Sequence, residues 1–248
     1  MTTPLICLSP RPMASTRLVC IPFAGAGASV YRRWASLLPP NVELFAVQLP
    51  GRENRLSEPP MTEWDLVVAS IADALIDMPW GNYRLFGHSL GALLALDVAR
   101  SMTKRGEAQR HLAVSGRPWP GFHNDVRSPI AVDVMSDDDV LEELTERFGP
   151  LPDSLRDLEI RDIVMPTLRA DLQLLHNYRW QSDPVLTGPV TAFYGQQDPS
   201  LSKSSVAGWA KETSGAFAAE PLNGGHYMLD QQSEAICRLI ELQIRTQP

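Results

Sequence analysis

An α/β architecture, a mostly parallel central sheet flanked by helices with a helical insertion, is what this 248-residue sequence predicts. Short apolar runs bounded by Gly and Pro alternate with amphipathic stretches of helical length, as repeated βα units require. The alternation runs through both ends of the chain and lapses only between about Arg127 and Asp183, where no strand candidate occurs. The length suits one well-buried core, so residues 1–248 read as a single domain with residues 127–183 inserted within it.

In chain order, Leu5 to Leu8 can add an edge strand, and Leu18–Ile21 is the first clear one. A helix over Val30–Leu38 follows, then strand Val42–Val47, helix Glu63–Met78, strand Tyr83–Phe86, helix Leu90–Lys104 and strand His111–Ser115. After the insertion come strand Val190–Tyr194, helix Ser202–Glu212, a last strand near Phe217–Glu220 and a closing helix Gln231–Ile244. Within the insertion, Ser136 can cap a helix whose first turn is Asp137, Asp138 and Asp139, and Gly149 and Pro150 stop it. A second helical stretch from Asp153 through Tyr178 is interrupted at Pro166, and Leu168, Leu172 and Leu175 share a face of its latter part. We read the insertion as a lid, although helices that merely cover the core would show the same periodicity.

Composition narrows the function. The 29 acidic against 22 basic side chains give a formal net charge of −7, so no general field draws nucleic acid or an anionic membrane. Three cysteines, Cys7, Cys20 and Cys237, have neither metal spacing nor the density of a disulfide scaffold. No signal peptide and no run of about 20 apolar residues is evident, so a soluble, cytoplasmic protein is expected.

The strongest local signal is Gly87-His88-Ser89-Leu90-Gly91, a G-x-S-x-G pentapeptide between a predicted strand and a predicted helix. A nucleophile on so sharp a turn adopts a strained backbone, and its neighbours two residues away must be small because strand and helix nearly touch. The turn also sets Ser89 at a helix N-terminus, where Leu90 N–H can stabilise a developing oxyanion. An ordinary Gly-flanked turn is the competing reading, and the flanking elements favour the nucleophile.

A serine needs a histidine base, and the base an orienting carboxylate. His226, in Asn223-Gly224-Gly225-His226-Tyr227 after the last strand, completes the order Ser, acid, His that the α/β-hydrolase fold uses. His88 would turn away from the elbow, His111 begins a strand, His123 has no candidate acid nearby, and His176 falls in the insertion. Asp198 follows strand Val190–Tyr194 and emerges where open α/β sheets keep their sites. An Asp-Pro turn residue is its competing reading, and Asp183 and Glu220 are weaker candidates. The second oxyanion donor is expected from the loop Pro22-Phe23-Ala24-Gly25-Ala26-Gly27, with Ala24 N–H preferred. That loop lacks both the third glycine of a dinucleotide fingerprint and the Lys-Ser/Thr of a phosphate loop.

Five motifs in order carry a family resemblance: Ile21-Pro22-Phe23-Ala24-Gly25, Leu49-Pro50-Gly51-Arg52-Glu53, Gly87 to Ala92, Gly195-Gln196-Gln197-Asp198-Pro199 and Gly224-Gly225-His226-Tyr227. Together they resemble a type II thioesterase over nearly the whole chain. The resemblance implies hydrolysis of acyl groups from the phosphopantetheine thiol of an acyl or peptidyl carrier protein in polyketide or nonribosomal peptide synthesis, with Ser89, Asp198 and His226 as the triad. It implies no metal or organic cofactor. Two departures stand out: Ala26 replaces a more usual second glycine, and Leu90 a frequent methionine. Phe23 and Arg52 are taken as substrate-binding candidates, Arg52 facing the pantetheine phosphate or the acidic carrier, whereas Arg55 reads as a loop residue in local ion pairs. A small-molecule carboxylesterase and a catalytically silent hydrolase-fold binding protein are the alternatives.

Overall fold

Parallel strands buried on both faces set the architecture. In the computed structural model, which describes residues 3–78, 83–107, 110–122, 130–183 and 185–246, seven strands form one sheet. They are β1 Leu5–Ser9, β2 Thr16–Ile21, β3 Val42–Val47, β4 Tyr83–His88, β5 His111–Ser115, β6 Val190–Gly195 and β7 Phe217–Leu222, in the spatial order β1-β3-β2-β4-β5-β6-β7. β1 pairs antiparallel with β3 and every other pairing is parallel, so Leu5 to Leu8 indeed lies in an edge strand. Side chains along the central strands alternate between two cores, as a period of two demands. Val19, Ile21, Leu85, Leu112 and Val114 pack under helices α2 (Trp64–Ile76) and α3 (Leu90–Lys104), while Leu18, Cys20, Phe86, Ala113 and Phe193 face Tyr31, Trp34 and the closing helix.

The expected helix over Val30–Leu38 is instead a 3₁₀ turn, Ala28–Tyr31, followed by the single-turn helix α1, Trp34–Leu37. Ala28, Tyr31 and Trp34 are buried at intervals of three, the spacing that a 3₁₀ turn eclipses on one face, and Pro39 and Pro40 prevent extension. The segment after β6 divides likewise, into α6 (Lys203–Ala207) and a 3₁₀ stretch Gly208–Glu212. α7 spans Ser233–Thr246, shifted two residues from expectation.

The described part of the insertion is helical. Ser136 caps α4 (Asp137–Phe148) in a reciprocal capping box with Asp139, and Gly149 ends it with φ of +85°. α5 runs unbroken through Leu158–Asn177 with Pro166 inside it, contrary to the expected interruption. Pro166 and Asp162, whose carbonyl loses its helical partner, are both exposed, so water can replace the missing bond. Val140, Leu144, Met165, Leu168 and Leu172 form a third apolar cluster that reaches Ala24 on the sheet edge. The expected insertion boundary at Arg127, and His123, lie outside the described residues. No helix among the described residues is long and apolar enough to cross a membrane.

A buried polar network ties α3 to the chain beyond the insertion. Glu212 accepts from Arg100 Nη2 at 2.5 Å, Trp119 Nε1 at 2.6 Å and Trp180 Nε1 at 3.1 Å, with Glu212 and Arg100 only 2% and 3% exposed. Glu212→Ala would remove the acceptor of two indole N–H groups and the closer of the two carboxylates that Arg100 pairs with, and should lower stability by about 3 kcal/mol. A urea melt that shifts by less than about 1 kcal/mol would contradict this weight on the network.

Candidate active site

Ser89 stands between β4 and α3 with φ 54° and ψ −112°, a conformation that L-residues rarely adopt. Its N–H donates to Ser115 O of β5 at 2.8 Å, which fastens the elbow to the next strand. The flanking glycines are sterically required. A Cβ on Gly87 would lie 2.0 Å from the Gly91 carbonyl oxygen, and one on Gly91 would lie 2.1 Å from that of Ile21. The second contact shows how tightly the start of α3 abuts the end of β2, the strand that leads into Phe23 and Ala24. Leu90, the first residue of α3, belongs to the helix turn whose N–H groups lack intrahelical acceptors.

His226 reaches the elbow from the Gly-rich turn after β7. Its Nε2 lies 3.1 Å from Ser89 Oγ, and its Nδ1 lies 2.8 Å from Asp198 Oδ2. A carboxylate that accepts from Nδ1–H leaves Nε2 free to accept the serine proton. The other Asp198 oxygen, Oδ1, accepts from Ser200 N–H at 2.9 Å and from Ser200 Oγ–H at 2.6 Å. Ser89, Asp198 and His226 are 6%, 5% and 3% exposed, so this chain of bonds is shielded from competing water. The acid and histidine loops are stapled to each other, Gln197 N–H donating to Gly224 O at 3.0 Å and Gly224 N–H to the Gln197 side chain.

The other described histidines, His88, His111 and His176, fall where they cannot serve as the base. His88 turns into the core, bonds Ser115 Oγ through Nδ1 at 3.0 Å, and is held well below the usual imidazole range by burial and then by nearby His226. His111 lies at the opposite strand end against Thr191 and Arg84, its pKa pushed down to about 4 by burial and then by the guanidinium. His176 is exposed on α5. Of the weaker acids, Asp183 is exposed and Glu220 lies within β7.

Phe23 meets the imidazole of His88 edge-on at 5.7 Å and lines an apolar cavity of about 490 Å³ together with Ala24, Leu144, Val164, Leu168 and Tyr227. A smaller cavity of about 240 Å³ on the other side is lined by Arg117, Arg147, Phe148, His176 and Ser200. Arg52 lines the larger cavity, but its charge does not face outward as expected. Its guanidinium is 5% exposed and turned inward, donating to Asp171 Oδ2 at 2.7 Å and Oδ1 at 2.9 Å, to Ala26 O at 3.0 Å and to Pro50 O at 3.4 Å. Arg55 does make the local ion pair expected of it, with Glu58 at 2.6 Å, but it is buried and also donates to Gln48 O at 2.8 Å.

Three residues of the site were not singled out from sequence. Phe148 stacks on His226 with ring centroids 4.4 Å apart, Ser200 orients Asp198, and Asp171 holds Arg52. Asp171 left a legible trace, because Leu168, Asp171, Leu172 and Leu175 share a helical face and a carboxylate on an apolar stripe demands a buried partner. Ser200, directly after the Asp198-Pro199 dipeptide, belongs to a common turn pattern and carried no such signal. No cluster of His, Cys, Asp or Glu among the described residues is arranged to hold a metal ion.

A nucleophile-elbow serine bonded through a histidine to a carboxylate, at the carboxyl edge of a mostly parallel sheet, is the architecture of an α/β-hydrolase. Residues 16–244 match the thioesterase domain family, and the chain belongs to it, an enzyme that hydrolyses thioesters. It is 32% identical to the gramicidin S biosynthesis protein GrsT of Aneurinibacillus migulanus, over 92% of this chain and 90% of that protein. It is 36% identical to the thioesterase PikA5 of Streptomyces venezuelae, over 92% of this chain and 80% of that one. The solved structure of BorB, a type II thioesterase from the borrelidin biosynthetic cluster, superposes with a TM-score of 0.87 at 31% identity, covering 96% of each chain.

Gly91→Ala tests the close approach at the elbow. The added methyl meets backbone on a neighbouring strand, which cannot rotate aside, so a loss of about 3 kcal/mol or more is expected. A chemical melt within about 1 kcal/mol of the parent would show that α3 can retreat from β2 without cost.

Proposed function

We propose that this thioesterase removes acyl groups from the phosphopantetheine thiol of carrier proteins in polyketide or nonribosomal peptide biosynthesis. Ser89 acts as nucleophile, His226 as general base and acid, Asp198 as the carboxylate that orients it, and the N–H groups of Leu90 and Ala24 as oxyanion donors. The observation that carries this reading is the continuous hydrogen-bond chain from Asp198 through His226 to Ser89, beside an apolar cavity large enough for an acyl group. Similarity to thioesterases from biosynthetic pathways of such products supports this substrate class. Helices α4 and α5 form the lid over that cavity.

The chemistry follows from the geometry. As Ser89 Oγ attacks the thioester carbonyl carbon, His226 Nε2 takes the hydroxyl proton and the carbonyl oxygen becomes an oxyanion. Collapse breaks the C–S bond, and the departing pantetheine sulfur takes the proton from the imidazolium and leaves as the thiol, which returns Nε2 to its neutral form. A thiol of pKa about 8.5 is a good leaving group, so little general-acid assistance is needed. Water then gives a proton to Nε2 and attacks the acyl carbon. The second intermediate expels Ser89 Oγ, which recovers its proton, and the free acid departs. Asp198 orients the ring and stabilises the imidazolium through Nδ1.

Ser89→Ala should reduce turnover of an acyl-loaded carrier protein by roughly 10⁴-fold or more with no loss of fold. Wild-type turnover in that variant would overturn the mechanism. A fluorophosphonate should label the parent at Ser89; absence of labelling would instead favour a silent binding scaffold. A kcat/KM for simple oxoesters above that for pantetheine thioesters would favour the carboxylesterase.

A further inference from the structure

Besides Arg100–Glu212, the interior carries the charged pair Arg52–Asp171, which the reaction above does not use and which grips the loop that supplies the second oxyanion donor. Asp171, on α5 of the insertion, is fully buried. Its Oδ2 accepts from Gly25 N–H at 2.8 Å as well as from Arg52, and the same Arg52 Nη1 donates onward to Ala26 O at 3.0 Å. The pair thus holds a donor and an acceptor of two successive residues, immediately after Ala24.

Those residues form a β-turn, Phe23 to Ala26, closed by Ala26 N–H donating to Phe23 O at 3.0 Å. Gly25, at the third position, has φ of +78°, while Ala24 is not among the residues with positive φ. That combination is a type II turn, which differs from type I by a flip of the central Ala24–Gly25 peptide. In the type II form Gly25 N–H points at the Asp171 carboxylate. In the flipped form the Ala24 carbonyl would face that carboxylate instead, and two acceptors repel.

We infer that Asp171 is a positioning residue: from the insertion, with Arg52 as its brace, it anchors Gly25 N–H and Ala26 O and so fixes the place of the loop that presents Ala24 N–H, on the preceding peptide, to the oxyanion. The inference rests on the assignment of Ala24 as oxyanion donor. It makes the donor depend on the seating of α5, whose Leu168 side chain also closes on Gly25, approaching to 3.3 Å of where a Cβ there would sit. A lid displaced from the sheet releases the turn, so the full oxyanion site exists only beneath a seated lid.

The test compares the parent, Ser89→Ala, Asp171→Asn, and a double variant Asp171→Leu with Arg52→Met that leaves no orphan charge. Each is assayed for kcat and KM on an acyl-pantetheine thioester, for inhibition by an alkylboronic acid whose tetrahedral serine adduct needs the oxyanion donors, and for thermal midpoint. In the double variant kcat should fall roughly 10- to 100-fold, part of the 10²- to 10³-fold lost with a whole donor. KM should stay within about threefold, because the turn's donor acts in the transition state and not on the bound ground state. Boronate affinity should fall by the same factor as kcat. Asp171→Asn keeps an acceptor for Gly25 but not the charge, so both quantities should drop together by only about three- to tenfold.

A folded double variant with parental kcat and boronate affinity overturns the inference, as does a loss confined to KM. If the double variant does not fold, Asp171→Asn decides: unchanged kcat and boronate affinity in it overturn the inference equally. Turnover retained by Ser89→Ala sinks the underlying mechanism, whereas a dead Ser89→Ala beside an unaffected Asp171 series sinks only the positioning role.

Discussion

The near-contact between the start of α3 and the ends of β2 and β4 is the constraint on which the site depends. Ser89 can project its hydroxyl above the sheet only if the chain reverses within a residue, and that reversal holds it at φ 54°. Backbone held there costs about 1–3 kcal/mol and persists only where its surroundings over-determine it. Here they do: eleven residues of α3 are buried, the serine N–H is bonded to β5, and glycines at 87 and 91 leave no room for an alternative path. The strain is local while its support is spread through a two-faced core. The same approach places the first turn of α3 beside the chain leaving β2, so the two expected oxyanion donors come from adjacent strand ends.

The site has two mechanically distinct halves. Ser89, Asp198 and His226 ride on strand ends, and their loops are bonded to one another through Gln197, Gly224 and Ser200. Phe148, Leu168 and Asp171 ride on the helical insertion, which has its own apolar cluster. His88 belongs to the first half. Burial holds its ring uncharged beside His226, so in the proposed reaction no second cation would oppose an imidazolium at His226.

How much of this the sequence disclosed depends on whether the determinant is local. The elbow is legible because its requirements fall within five residues and between two elements of opposite periodicity. His226 and Asp198 are legible through chain order and their places after predicted strands. The edge strand, the α4 cap and the insertion's helical character come from apolar runs and end signals of the same local kind. The helix over Val30–Leu38 failed because a three-residue burial spacing also satisfies a loose helical pattern. Pro166 misled because its cost depends on solvent access to one carbonyl, which is set by tertiary packing. Arg52 was misplaced for a related reason: a charged residue in a Pro-Gly loop reads as surface until its partner, 119 positions away, is known.

The Arg52–Asp171 pair also bears on why charge is retained in the interior. Desolvation consumes much of what such a pair gains, and a well-packed apolar pair of equal volume is often as stable or more so. Stability alone therefore does not explain its presence. What an apolar pair cannot do is satisfy a backbone N–H and a backbone carbonyl in the same turn, and do so with a sign that disfavours the flipped peptide. A carboxylate facing Gly25 N–H distinguishes the two turn conformers by attraction in one and repulsion in the other, and the bidentate guanidinium keeps that carboxylate aimed. The buried charge is thus better understood as selecting a backbone conformation than as cementing the lid. That selection is exerted across the seam between the insertion and the sheet, where the apolar cavity opens.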